Sequence, residues 1–279
     1  MIGAIIGDTV GSRFEFRNHK NKDFELFTET CFVTDDSIMS LAVAKAIMET
    51  EKIKPSLIEG KELNQDYYKL LEKMSIKYMQ KIGRQYPACG FGGMFYYWIF
   101  SNNPRAYNSY GNGAAMRISP VGFIARTESE ARNLSRTVTS ITHNHEEGIK
   151  GAEATVVAIL MARNNNTIAE IKERINQDYY SLNFTIDEIR PTYRFNETCQ
   201  ETVPQAIQAF LESVSFEDAL RNAISLGGDS DTLTAITGAI AEAYYGIPEA
   251  LKTKALTYLD DYLSEIYFAW SEFLEKVNN

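Results

Sequence analysis

Two short runs combine carboxylates with hydroxyls. Thr34-Asp35-Asp36-Ser37 stands directly before the apolar series Ile38, Leu41, Ala44 and Met48, and Gly227-Gly228-Asp229-Ser230-Asp231-Thr232 stands directly before a stripe that begins at Leu233. Both place acids at helix N-termini, where one side-chain acceptor caps free N–H groups of the first turn for about 1 kcal/mol. Capping needs one acceptor per helix, and each run supplies a surplus. If the runs converge, four carboxylates share a pocket, and each pair at ~4 Å repels by about 4 kcal/mol at an effective dielectric near 20. Only a counter-charge holds such a set together. Asp and Thr offer oxygen alone, which suits Mg²⁺, Mn²⁺ or Ca²⁺ rather than zinc, and one aspartate can bridge two ions. An EF-hand is excluded, because counting from Asp229 puts Thr234 where that loop needs glycine and provides no glutamate at its twelfth position.

The elements that must carry these runs read as helices, since apolar residues repeat at steps of three and four. The clearest stripes are Leu63, Tyr67, Leu70, Leu71, Met74 and Tyr78; Ala152, Val156, Ile159 and Leu160; Leu233, Ile236, Ile240, Ala243 and Tyr244; and Leu259, Tyr262, Leu263, Ile266, Trp270, Phe273 and Leu274. Gly246-Ile247-Pro248 reads as a stop and a restart between two long helices. The Asn164-Asn165-Asn166 triplet and residues 177–199 lack a helical stripe and read as loop, the latter with a short extended piece. No composition shift marks a linker, so residues 1–279 form one domain.

A chain of 279 residues can bury roughly 75% of its unfolded surface without staples. Its 28 basic against 37 acidic residues give a net charge of -9, which argues against stable nucleic-acid binding and against an anionic membrane as partner. Cys31, Cys89 and Cys199 are odd in number and show no CxxC spacing, so neither a disulfide framework nor a cysteine zinc site is expected. With no basic leader and no run of 18 apolar residues, the protein reads as soluble and cytoplasmic.

Three further segments complete a pattern: Gly7-Asp8-Thr9-Val10-Gly11-Ser12-Arg13-Phe14-Glu15, Ser109-Tyr110-Gly111-Asn112-Gly113-Ala114-Ala115-Met116-Arg117, and Thr142-His143 ahead of Gly151-Ala152. Together with the acidic runs, and with Thr202-Val203-Pro204-Gln205-Ala206, they resemble the ADP-ribosylglycohydrolase family over about residues 1–246. The resemblance implies an orthogonal all-α fold, two divalent cations (Mg²⁺ first, Mn²⁺ as the alternative), and hydrolysis of the bond between ADP-ribose and its acceptor. The substrate would be an ADP-ribosylated protein or a small-molecule ADP-ribose conjugate. It further implies metal ligands at Thr34, Asp35, Asp36, Asp229, Asp231 and Thr232. Glu15 matches a family glutamate on a movable segment, a candidate base or gating ligand, and the proton is handled by one of Glu15, Asp35 and Asp36, which the sequence leaves open. Ser109, Tyr110, Gly111, Asn112 and Gly113 match the family's stretch for the phosphates and distal ribose, and His143 a histidine of the pocket. Physics concurs for the loop: glycines admit an anion to backbone N–H groups, and a helix starting at Ala114 would favour it.

Other readings attach to some of these residues. For His143 and His145 alike, a histidine ahead of a helix also fits a satisfied structural group, and no family position is assigned to His145. The loop Cys89-Gly90-Phe91-Gly92-Gly93 either borders the pocket or follows its aromatic neighbours into the core. Asp229-Ser230-Asp231 looks like the DxD of aspartate-nucleophile phosphatases, but that motif follows a β-strand, whereas Phe216–Ile224 reads as helix. A non-catalytic ADP-ribose-binding module is the remaining alternative, and its prediction is binding without release of ADP-ribose.

Overall fold

The computed structural model describes residues 1–278. In chain order the first helices are α1 (Ile2–Gly11), α2 (Asp35–Ile53), α3 (Gln65–Gly83), α4 (Gly93–Phe100), α5 (Gly113–Met116), α6 (Ser119–Ile124), α7 (Glu128–Thr139) and α8 (Glu146–Arg163). There follow α9 (Ile168–Asp178), α10 (Ile186–Ile189), α11 (Cys199–Leu211), α12 (Phe216–Ile224), α13 (Ser230–Tyr245), α14 (Glu249–Leu256) and α15 (Asp261–Asn278). Among the described residues the only β-type pairing is an isolated antiparallel bridge between Gly111 and Thr198. The fold is therefore all-α, as periodicity and resemblance both indicate.

The centre of the molecule is the pair α1 and α13. Every residue of α1 is buried, so this helix has no solvent face to define an amphipathic stripe. Its Gly3, Gly7 and Gly11 form a ridge of i, i+4 spacing laid against the α13 backbone. A Cβ on Gly7 would stand 2.1 Å from the Thr234 carbonyl oxygen, and one on Gly3 would stand 2.2 Å from that of Gly238. Only glycine permits this approach, which brings Asp8 on α1 beside the first turn of α13. At the far end of the pair, Gly3 N donates to Glu242 Oε2 at 2.8 Å. Helices α2, α8, α11 and α12 pack around this pair, and α15 closes the outer side of α2. Trp270 and Phe273 of α15 are buried in the common core.

Two local expectations need correction. Gly246 does end α13, with φ of +70°, but the restart is short: Pro248 is the N-cap of the eight-residue α14, and a turn at Thr257–Leu259 separates it from α15. The stretch 177–199 holds one helical turn, α10, because Thr185 and Glu188 close a reciprocal capping box there. Elsewhere the residue types act as read: Asn165 takes φ of +61° in the turn after α8, and Phe216–Ile224 is the helix that precedes the second acidic run.

Candidate active site

The two acidic runs meet although 196 residues separate them: Thr232 Oγ1 lies 3.4 Å from Asp36 Oδ2. Asp8, Asp36 and Asp231 each place a carboxylate oxygen within 4.8 Å of the others, and so do Glu15, Asp229 and Asp231. Asp231 belongs to both groups. The surplus over capping is visible atom by atom. Thr34 caps α2 by accepting from Asp36 N at 3.3 Å, whereas Asp229, the N-cap residue of α13, makes no side-chain cap bond. Asp36 Oδ1 and Asp231 Oδ1 are buried with no hydrogen-bond partner.

Asp8 is the functional-site residue that sequence reasoning left without a role. It is fully buried and accepts from Thr34 N (3.0 Å), Thr34 Oγ1 (2.7 Å), Ser37 N (3.1 Å) and Ser37 Oγ. These bonds fasten the first turn of α2 to α1. Thr34 Oγ1 has one proton for two carboxylate acceptors, Asp8 Oδ1 at 2.7 Å and Asp36 Oδ2 at 3.4 Å, and the shorter contact takes it. The available signal was a lone acid inside the otherwise apolar run Ile2–Gly11, whose helix has no exposed side.

Burial raises every carboxyl of the cluster, and the neighbouring carboxylates raise most of them further. Asp8 is pushed up to about 6 by burial against the bonds from Ser37 and Thr34, Glu15 to about 7 by burial and then Asp229, and Asp35 to about 8 by burial and then Asp8. Asp36 and Asp231 are held well above the usual carboxylate range by burial and by their acidic neighbours, and burial raises Asp229 as well. Among the described residues no lysine or arginine forms an ion pair with these acids, and the nearest cation to act on them is the buried Arg117, which feels Asp35. A set that resists ionising in its own company, with two carboxylate oxygens lacking any partner, fits one or two hard cations.

The cluster forms the floor of a cavity of about 260 Å³, just below the ~300–1,000 Å³ of small-molecule sites. Asp35, Asp36, Asp229, Asp231, Thr232 and Glu15 line it, with Ser109, Gly111, Asn112, Gly113 and His143 on the facing wall. Thr34 and Tyr110 stand outside the lining: Thr34 holds Asp36 from behind, and the Tyr110 ring packs on His145 at 5.1 Å. His145 is structural, its Nδ1 capping α8 by accepting from Glu147 N at 3.1 Å.

Three placements refine the facing wall. Asn112 commits its amide to the acids, Nδ2 donating to Asp229 Oδ2 at 2.6 Å and to Thr202 Oγ1 at 3.1 Å. Two of the loop's backbone donors are also engaged: Gly111 N binds Ser109 Oγ and Asn112 N binds Glu197 O, and α5 is only four residues long. The expected cradle of free N–H groups is thus narrowed at Gly111 and Asn112. Gly90, Gly92, Gly93 and Phe95 border the cavity, while Phe95 and Trp98 are also buried, so the Cys89–Gly93 loop serves both alternatives. Gly90 has φ of +114°, and a Cβ there would stand 2.9 Å from Asp35 Oδ1, so this position needs glycine on two counts. Arg117 and Glu197 also line the cavity and were not singled out by sequence.

An all-helical scaffold with a buried acidic floor and a glycine-rich wall defines the class, an enzyme that works at a clustered-carboxylate centre. The chain belongs to the ADP-ribosylglycohydrolase family, whose model matches residues 1–274. As a member it is an ADP-ribosyl hydrolase. It is similar to ADP-ribosylhydrolase ARH3 of Bos taurus (23% identical, covering 89% of this chain and 84% of that protein) and of Homo sapiens (22%, 89% and 85%). A 149-residue stretch is 28% identical to ADP-ribosylarginine hydrolase Tri1 of Pseudomonas putida, covering 49% of this chain and 39% of that one. Its fold matches a solved structure described as an ADP-ribosylglycohydrolase-related protein complex, with a TM-score of 0.64 at 20% identity over 96% of this chain and 95% of that one. No helix among the described residues is long and apolar enough to cross a membrane.

Proposed function

We propose that the protein is a divalent-metal-dependent hydrolase that cleaves the glycosidic bond between ADP-ribose and a modified acceptor, reversing ADP-ribosylation in the cytoplasm. The observation that carries this reading is the meeting of Thr34–Asp36 with Asp229–Thr232 on the floor of the cavity. Asp36 and Asp231 would hold the cations, with Thr34, Asp35, Asp229 and Thr232 completing the set and Mg²⁺ or Mn²⁺ filling it. When bound, the cations would supply Lewis acidity, stabilising negative charge that develops on oxygen. The chain's own residues do the rest. Asn112 fixes the rotamer of Asp229, and Asp8 fixes that of Thr34. Glu15, half-buried at the cavity edge, takes a proton from the attacking water as its oxygen bonds the anomeric carbon and the bond to the acceptor breaks; the acceptor leaves with the bonding pair and takes up that proton, while the surrounding carboxylates stabilise the oxocarbenium-like carbon. Ser109, Gly111 and Gly113 shape the wall against the phosphates and distal ribose, with His143 above them.

The test is a panel of ADP-ribosylated arginine and serine peptides assayed for free ADP-ribose with Mg²⁺, with Mn²⁺ and with chelator. Release in metal and its loss in chelator are expected. Binding of ADP-ribose with no release from any linkage would assign the chain to the non-catalytic alternative.

A further inference from the structure

Arg117 is an arginine with almost no exposure, 1%, beside a pocket full of acids, yet among the described residues it pairs with none of them. Its guanidinium lies over the Phe95 ring at 4.9 Å. Nη2 donates to Thr142 Oγ1 at 2.6 Å and lies 3.2 Å from His143 Nδ1. Guanidinium groups only donate, so the Nδ1 they face must be an acceptor without a proton. Thr142 agrees: having accepted from Arg117, its hydroxyl turns its own hydrogen to the same Nδ1, 2.8 Å away. A neutral imidazole with a bare Nδ1 carries its proton on Nε2. Burial, and then the charge of Arg117, hold the His143 pKa well below its ordinary value, consistent with a ring that stays neutral.

The proton on Nε2 has a destination. Nε2 makes no hydrogen bond among the described residues, and a Cβ on Gly111 or Gly113 would stand 3.6 or 3.5 Å from it, so it faces the glycine wall directly. The wall's amides at Gly111 and Asn112 are already engaged by Ser109 and Glu197. With those two amides committed, an anion seated there finds a side-chain donor in His143 Nε2.

We propose that Arg117 is a positioning residue that fixes His143 as the Nε2-protonated tautomer, so that this nitrogen donates to an oxygen of the substrate's diphosphate at the Gly111–Gly113 wall. The assignment rests on the substrate reading given above for this site. Its test is the nitrogen spectrum of histidine-labelled protein, with the His143 signal identified by its loss in His143→Gln. The expected wild-type spectrum shows a pyridine-type Nδ1 and a pyrrole-type Nε2, and ADP-ribose shifts the Nε2–H signal. Arg117→Met retains packing on Phe95 without a donor; it should mix the tautomers and weaken ADP-ribose binding roughly tenfold. Arg117→Lys should recover part of both. A purely structural arginine would alter stability and leave the tautomer alone. A wild-type His143 protonated at Nδ1, or an Arg117→Met protein with unchanged tautomer and ADP-ribose affinity, overturns the proposal. Should Arg117→Met not fold, the wild-type spectrum still decides. Failure of every ADP-ribosyl linkage in the hydrolysis panel, with the tautomer as stated, would instead overturn the functional reading.

Discussion

At the scale of single residues, the site is a set of acids that the fold gathers against their mutual repulsion. Asp231 sits in both groups of convergent carboxylates, so its removal should relieve the metal-free protein while ending its function. Asp231→Asn is expected to raise metal-free stability at pH 8 by about 1 kcal/mol, read from urea midpoints, and to abolish both Mg²⁺ uptake and hydrolysis. Asp8 behaves oppositely, because it shares the crowding but also holds α2 through four accepted hydrogen bonds. Asp8→Ala strips the first turn of α2 of four accepted hydrogen bonds and should cost about 2–4 kcal/mol along with activity, again by urea unfolding. The contrast explains what could be read in advance. Asp35, Asp36, Asp229 and Asp231 announced themselves as a surplus at two helix starts, whereas Asp8, alone in an apolar run, displayed no surplus and acquired its partners only through packing. Arg117 was equally silent: its bond to Thr142 joins residues whose relation depends on tertiary structure.

At the scale of elements, α1 and α13 are the frame on which the acids hang, and their glycine contact sets the frame's precision. Alanine is the better helix former by about 1 kcal/mol, yet Gly7→Ala should destabilise the protein by about 2–4 kcal/mol, because the new methyl would meet the Thr234 carbonyl at 2.1 Å. Calorimetric melting with a parallel activity assay checks this; an unchanged melting temperature would mean the helices are not locked. Gly90→Ala acts on the loop over Asp35, combining an unfavourable φ with a methyl 2.9 Å from the carboxylate oxygen. A stability loss of about 1–2 kcal/mol is expected, with a fall in kcat/KM larger than that loss explains. Helix identities were legible because a buried stripe leaves a period of three to four in the sequence, and α3, α8, α13 and α15 follow it. The one-turn α10 was not, since a capping box between Thr185 and Glu188 gives no apolar period. The loop wall is less open than glycine spacing suggests, since Ser109 and Glu197 engage the amides of Gly111 and Asn112 from inside the protein.

At the scale of the whole molecule, the cluster couples folding, protons and metal. Asp8 at about 6, Glu15 at about 7 and Asp35 at about 8 all lie above the 3.8 to 4.5 of free carboxyls, so the folded state binds more protons than the unfolded state across that interval. Metal-free stability should therefore fall as pH rises from about 4 to 8, and saturating Mg²⁺ should flatten the slope, as pH series of urea midpoints in chelator and in metal would record. Metal uptake near pH 6–7 should release protons, measurable by titration calorimetry in buffers of different ionisation enthalpy. The all-α organisation was legible across the described residues; the path of residues 177–199 was not, because polar loops are placed by the contacts they find. The most direct test of the central claim is the anomalous scattering of Mn²⁺ in crystals of this protein. Peaks should fall between Asp36 and Asp231 and toward Asp229 and Glu15, and disappear in Asp231→Asn. A protein that hydrolyses ADP-ribosyl bonds at full rate in chelator, with no Mn²⁺ peak at these carboxylates, would contradict the account.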